Sequence, residues 1–188
     1  SSFTVGSSDL ALLVDSPICK NSGIIFSARK YYLQFLFKAL QLPFLPEYND
    51  IQFKYLNKLS DKSELVIIGL GAIDDFSLNQ GANDGVSDLE TIERNQYILD
   101  YIPVQKQWNY TIGAHYKYFS EKGFHSVVLS RNHLNNNAVK YSDNIELDEN
   151  LVLDYLSEEI ENKFRYEYTF GINNSELNTG FGLEQSLS

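Results

Sequence analysis

The stretch Trp108-Asn-Tyr-Thr-Ile-Gly-Ala-His-Tyr-Lys-Tyr118 decides how the rest of the chain reads. Its even positions, Trp108, Tyr110, Ile112, Ala114, Tyr116 and Tyr118, are aromatic or aliphatic. Its odd positions, Asn109, Thr111, Gly113, His115 and Lys117, are polar or small. A period of two is the signature of a β-strand with unlike faces. Strands of soluble domains usually run about 5–6 residues, whereas a strand tilted across a bilayer needs about 9–11. The rings stand at both ends, with Ile112 and Ala114 between them. That is the spacing expected when amphipathic rings lie at two water–lipid boundaries. Trp108, Tyr110, Tyr116 and Tyr118 are therefore expected on the lipid or interfacial side, and Asn109, Thr111, His115 and Lys117 on the lumen side.

The same rhythm recurs along the chain. Phe164, Tyr166, Tyr168 and Phe170 share one parity, and Arg165, Glu167 and Thr169 share the other. An Arg or Lys facing lipid at the midplane costs about 2–4 kcal/mol, so Arg165 and Glu167 are expected inside and the four rings outside. Leu151-Leu153-Tyr155 and Ile51-Phe53-Tyr55 alternate likewise. Glu64 to Ile73 is apolar on both parities, with Gly69 and Gly71 leaving one face bare, either for close approach by other structure or for a bend. Leu10–Val14, Ile24–Ala28, Ser126–Asn132 and Asn178–Glu184 complete about nine strands.

Connections are expected to alternate in length. Ser60-Asp61-Lys62-Ser63 and Ser120-Glu121-Lys122-Gly123 are tight polar turns, the second with Gly where a positive φ is expected. Asp15 to Gly23 makes a somewhat longer turn, and another break is expected near Glu158 to Asn162. The long connections are Leu33 to Asn49, Asp74 to Gln107 and Asn135 to Asn150. The apolar spacing in Tyr31 to Leu42 predicts a short helix ended by Pro43, and Asp88 to Asp100 predicts another. Asn173-Asn174-Ser175 falls where a long loop is due and is short. Short turns at one end and long loops at the other describe an outer-membrane barrel.

Composition narrows the function classes. The 188 residues carry 15 Lys+Arg against 25 Asp+Glu, a formal charge of −10. This argues against a nucleic-acid partner, which requires a basic surface. The single Cys, Cys19, excludes an internal disulfide framework and a Cys-rich zinc site. Thirteen Tyr, 12 Phe and one Trp make 14% of the chain aromatic, which suits surfaces apolar at one end and wet at the other. No apolar run approaches the roughly 18 residues of a membrane-spanning helix. The start at Ser1 shows no signal segment, and the chain holds no Met. It is expected to be a mature form or a piece of something longer.

Four phrases carry a family resemblance. Ser27 to Pro46 followed by Tyr48-Asn-Asp50, Gly69 to Asp75, Trp108 to Gly113 and Val128 to Asn136 together resemble the early barrel of TonB-dependent outer-membrane receptors of the Bacteroidetes type. The resemblance covers most of the chain and lies in strand and loop phrases. It implies an all-β fold: an antiparallel up-and-down meander, part of a transmembrane β-barrel, with long loops carrying one or two short helices. It implies that residues 1–188 are a partial barrel starting after the plug domain, with the plug and the remaining strands absent. The implied partners are outer-membrane lipid, the plug and remaining barrel of the intact receptor, the TonB complex through the missing N-terminal region, and a nutrient ligand of unknown identity. The implied function is active nutrient uptake in the cell outer membrane, which this piece alone is not expected to perform.

Chemical sites are sparse. His115, His125 and His133 form no metal-ligand spacing, although His115 and His125 lie either side of the Ser120–Gly123 turn. Asp74-Asp75 and Asn83-Asp84-Gly85 do not match a calcium loop. Ser130, His133 and Asn135 match the residue types of a lipase without its partner geometry or its G-x-S-x-G motif. Arg29-Lys30-Tyr31-Tyr32 reads as an interfacial anchor or a headgroup- or glycan-binding cluster. No enzyme, cofactor or metal site is expected. Two other readings remain at this point. One is a soluble secreted β-sandwich or small barrel that binds a ligand or glycan; the other is an autonomous small outer-membrane barrel.

Overall fold

The structure, a computed structural model, describes residues 1–172 and 175–188. Nine antiparallel strands form one sheet in which each strand pairs with its sequence neighbours. They are β1 (Ser2–Val5), β2 (Asp9–Cys19), β3 (Ser22–Tyr31), β4 (Phe44–Ser60), β5 (Ser63–Leu78), β6 (Val104–Phe119), β7 (Gly123–Tyr141), β8 (Leu151–Ile172) and β9 (Ser175–Leu187). Helix α1 (Leu33–Ala39) lies between β3 and β4, and α2 (Leu89–Tyr101) between β5 and β6. The sheet does not close, so β1 and β9 are its two edges.

Several strands outrun the sequence expectation. The break expected near Glu158 to Asn162 is absent, and β8 is one strand of 22 residues. Ser157, Glu159, Glu161 and Lys163 continue one parity while Leu156, Ile160 and Asn162 continue the other, so the pleat passes through a polar stretch without interruption. The first part of Asn135 to Asn150 is also strand, because β7 runs to Tyr141. The extra strand at the front, β1, pairs with β2 from Ser2↔Leu13 to Val5↔Leu10. Nine strands are thus found where nine were expected, but two expected strands merge and one is new.

The merger repairs the alternation. β2–β3, β4–β5 and β6–β7 turn at one end of the sheet, and the pairing of β8 with β9 reaches Ile172↔Ser175 at that same end. The expected anomaly rested on Asn173 and Asn174, which lie outside the described residues. The long connections, 32–43, 79–103 and 142–150, all lie at the opposite end.

Gly123 also corrects an expectation. Among the described glycines only Gly85 has a positive φ. A Cβ on Gly123 would stand 2.7 Å from Phe170 Cα and would overlap the Thr169 carbonyl. The residue is small because β8 passes close by.

A two-layer domain of 21.5 kDa is ruled out by area. Folded monomers of this mass expose about 9,200 Å², whereas this chain exposes 12704 Å². Its buried apolar side chains among the described residues are Ala82, Leu99 and Ala138, with Pro43 and Pro46, and all of them belong to the long-loop end. Among the described residues, no second layer covers either face of the strands between the two ends.

Candidate functional site

Register fixes which side chains share a face, since directly paired residues point the same way. Trp108, Tyr110, Tyr116 and Tyr118 on β6 pair with Asn135, His133, Val127 and His125 on β7. Those in turn pair with Glu158, Ile160, Tyr166 and Tyr168 on β8. Phe164, Tyr166, Tyr168 and Phe170 therefore stand on the same face as the β6 rings. The middle row of this face reads Ile24, Tyr55, Ile67, Ala114, Leu129, Phe164 and Leu183 across seven strands. Its side chains are open: Leu129 is 54% exposed and Leu183 68%.

The rings form two clusters on this apolar face. Toward the long loops, Trp108 stacks against Tyr110 at 6.2 Å, and both pack edge-on to His133. Toward the short turns, His125 stacks on Tyr168 at 4.3 Å and hydrogen-bonds Tyr166 Oη at 2.8 Å. Tyr168 stacks on Phe170 at 5.0 Å. From Trp108 to Tyr118 the strand rises about 33 Å. At the tilt of about 40° usual in such barrels, that spans about 25 Å, the height of an apolar band.

Asn109, Thr111, His115 and Lys117 lie on the opposite face, and Arg165 and Glu167 join them there. Thr111 Oγ1 donates to Asn132 Oδ1 at 2.9 Å, and His115 Nε2 hydrogen-bonds Ser126 Oγ at 2.8 Å. Arg165 Nε lies 3.5 Å from Glu167 Oε1. Lys163 bridges Glu161 and Glu184 at 3.0 and 3.6 Å, and Arg29 pairs with Asp50 at 3.1 Å. This is a hydrogen-bonding surface with paired charges.

Several sequence candidates are separated by the pleat. His115 and His125 stand on opposite faces, as do Ser130 and His133. Arg29 and Lys30 also part: Arg29 joins Asp50 on the polar face, while Lys30 binds Glu47 at 2.8 Å on the other. Among the described residues, no group of three or more His, Cys, Asp or Glu is placed to hold a metal.

The long connections fold together over the polar face. Phe37 of α1 packs edge-on to Phe44, which stacks on Phe76 at 5.6 Å, both from that face. Asn79 Nδ2 donates to the Leu42 carbonyl and Gln41 Nε2 to the Asp84 carbonyl. Asn95 of α2, fully buried, donates to Asn83 Oδ1 at 3.1 Å. α2 begins where the sequence places it, with Asp88 accepting from the Thr91 N–H as N-cap. Its C-terminal end is held by Lys140 Nζ, which donates to the Leu99 carbonyl at 2.6 Å and to Asn144 Oδ1 at 2.7 Å. Burial pulls the Lys140 ammonium below its ordinary pKa, against an opposing pull from Asp100. The cation is kept there by the free carbonyl of the helix end.

One residue that the strand parity does not favour is Arg131. It shares the parity of Val127 and Leu129 and pairs with Ile112 and Asn162, so it stands on the apolar face. Its Nε donates to Tyr110 Oη and its Nη1 to Asn162 Oδ1, both at 3.1 Å. The signal was present in the alternation of Ser126 to Asn132, where a cation falls in an otherwise apolar register.

The arrangement is that of a barrel wall with unlike sides and a capped end. No family model and no curated protein matches the sequence. Among solved structures, it is similar to a variant of the ferric enterobactin receptor of Pseudomonas aeruginosa. That match has a TM-score of 0.60 at 11% identity, covering 95% of this chain and 28% of the receptor. A second variant of that receptor, in complex with enterobactin, matches with the same TM-score, identity and coverage. The likeness shows the fold alone: the sheet is similar to part of that receptor's barrel, and the chain spans 28% of the receptor's length.

Proposed function

We propose that this chain is a barrel portion of a TonB-dependent outer-membrane receptor for active nutrient uptake. The observation that carries the reading is the single-layer sheet with two ring clusters about 25 Å apart on one open face and a hydrogen-bonded polar surface on the other. The apolar face meets outer-membrane lipid, with Trp108, Tyr110, Tyr116, Tyr118, Phe164, Tyr166, Tyr168 and Phe170 in or beside it. The polar face lines the lumen, where Asn109, Thr111, His115, Lys117, Arg165 and Glu167 meet the plug domain or the ligand path. The TonB complex acts through a region outside this chain. The reading assigns the chain no catalytic step. The Bacteroidetes subtype rests on the sequence phrases alone, and 11% identity carries no substrate over from the enterobactin receptor.

Unpaired backbone groups in lipid cost several kcal/mol each, and β1 and β9 are open edges. The chain alone is therefore expected to aggregate without detergent and to show no heat-modifiable folded band in lipid. Supplied with strands that complete the barrel, it is expected to insert. A monomer that melts cooperatively in plain buffer would overturn the reading.

A further inference from the structure

Arg131 is the one cation standing within the apolar band between the two ring clusters of that face, counting the described residues. Its row is Ile112, Arg131, Asn162 and Gln185, two residues below the row of Tyr110 and His133. A guanidinium has five N–H donors. Tyr110 and Asn162 each take one. Among the described residues no carboxylate lies within 4 Å of it. Glu158, on the same face nearer the long loops, is engaged with Asn135 Nδ2 at 3.2 Å and lies 3.8 Å from His133 Nε2.

Directly below Arg131, toward the short turns, is a groove of about 460 Å³. Ile112, Ala114, Leu129, Phe164 and Leu183 form its apolar lining, and Arg131 and Asn162 stand at its upper end. Small Ala114 makes the depression between the larger side chains. A cation with free donors that reaches from within the band to the Tyr110 hydroxyl of the upper ring cluster, continuous with an apolar trough running deeper, matches one kind of molecule: an acidic head with an attached hydrocarbon chain. A charged planar fork binds phosphate oxygens in pairs, and the rings of Trp108 and Tyr110 mark the headgroup depth beside it.

We infer that Arg131, with Asn162 and the groove of Leu129, Phe164 and Leu183, is a binding site for an anionic phospholipid, the phosphate on the guanidinium and an acyl chain in the groove. The inference rests on the membrane reading above. It adds a specific lipid site to a face that otherwise needs only a generic solvent of acyl chains.

The test uses the complete barrel to which this chain belongs, purified in detergent and exposed to equimolar phosphatidylglycerol and diacylglycerol with identical chains. Lipid retained on the intact protein is counted by native mass spectrometry. The wild-type protein is expected to retain phosphatidylglycerol at least about tenfold over diacylglycerol at saturating stringency. Arg131→Gln is expected to bring the ratio to near one. Arg131→Lys, which keeps the charge but not the fork, is expected to fall between. Lys54→Gln, on the opposite face and away from the groove, is expected to leave the ratio unchanged. Equal retention by wild type and Arg131→Gln, in a barrel that inserts normally, overturns the site and leaves the membrane reading standing. Loss of bound lipid to about 10 mM inorganic phosphate, far below the strength of a two-part contact, overturns the acyl-chain half and with it the site. A barrel that refuses lipid altogether, wild type included, overturns both.

Discussion

The ring of Phe53 lies across the bare Cα of its register partner Gly69 on the neighbouring strand, where a Cβ would overlap three atoms of the ring. The two residues are complementary halves of one packing unit on the apolar face. Gly69 is thereby explained as room for an aromatic neighbour, the close approach and not the bend that its bare parity equally allowed.

Gly69→Val is expected to force the Phe53 ring off its seat and to destabilise the folded barrel by about 1–3 kcal/mol, the usual cost of overpacking. Gly71→Ala makes the contrast. A Cβ there meets only the Asn109 carbonyl, at 3.7 Å, so a change within about 0.5 kcal/mol is expected. Urea midpoints of the two variants in lipid, measured side by side, check the difference.

The β7–β8 hairpin depends on Gly123 in a different way. Its neighbour is backbone, which cannot rotate aside as a side chain can. Gly123→Ala is expected to part the strands at the short-turn end and to speed amide exchange around Thr169 and Phe170. Gly171→Ala, with nothing within 4 Å of the added carbon, is expected to leave exchange unchanged.

Lys140 ties the C-terminal end of α2 to β7. Lys140→Met keeps the stem and removes the donor, leaving the Leu99 carbonyl with only the longer bond from Asn144 Nδ2, 3.1 Å. An under-satisfied buried carbonyl costs about 1–3 kcal/mol. Limited proteolysis is expected to cut residues 79–103 faster in this variant while the barrel's heat-modifiable band persists. Equal cutting rates would show that the loop is held elsewhere.

The ion pair joins Lys30, in the Trp108 row, to Glu47, one row nearer the long loops. The hydrogen bond from Lys30, with its charge, holds the Glu47 carboxyl below its ordinary pKa of 4.5, against a smaller opposing effect of burial. The folded pKa is the lower one, so this contribution is complete above the unfolded value and is lost as pH falls through the folded value. Lys30 is 58% exposed, so the effect is small and screened by salt. Glu47→Gln is expected to flatten that part of the acid-side stability curve below about pH 4.5 and to leave stability at pH 7 within about 0.5 kcal/mol.

Phe164 occupies the middle row of the apolar face and Arg165 the face behind it. Phe164→Arg is expected to cost about 2–4 kcal/mol when the barrel partitions into lipid, whereas Arg165→Gln is expected to cost far less. Folding yields into vesicles, compared across a urea series, separate the two. Similar penalties for both would overturn the assignment of faces.

The parity of the strands was legible because alternation is a local property of one extended backbone. Fourteen named side chains on β6 and β8 were sorted into two faces from spacing alone, and the register places each set together. The start of α2 was legible for the same reason, since a capping Asp acts on its own first turn. The length of β8 was not. Ser157 to Lys163 is polar on most positions, so nothing in the composition says strand; partners on both sides, β7 and β9, hold much of it extended. Gly123 was read through φ, the local cause, when the cause was a neighbour 47 residues on, Phe170.

By itself the sequence determined which side chains go together on each side of every strand, because a pleated chain turns alternate residues to opposite faces whatever surrounds it. Tertiary structure decided how far each strand runs, which glycines are there for closeness, and that Arg131 meets Tyr110 and Asn162 from 21 and 31 residues away. Those facts belong to pairs of strands, and a pair's register exists only once two backbones have come within hydrogen-bonding distance.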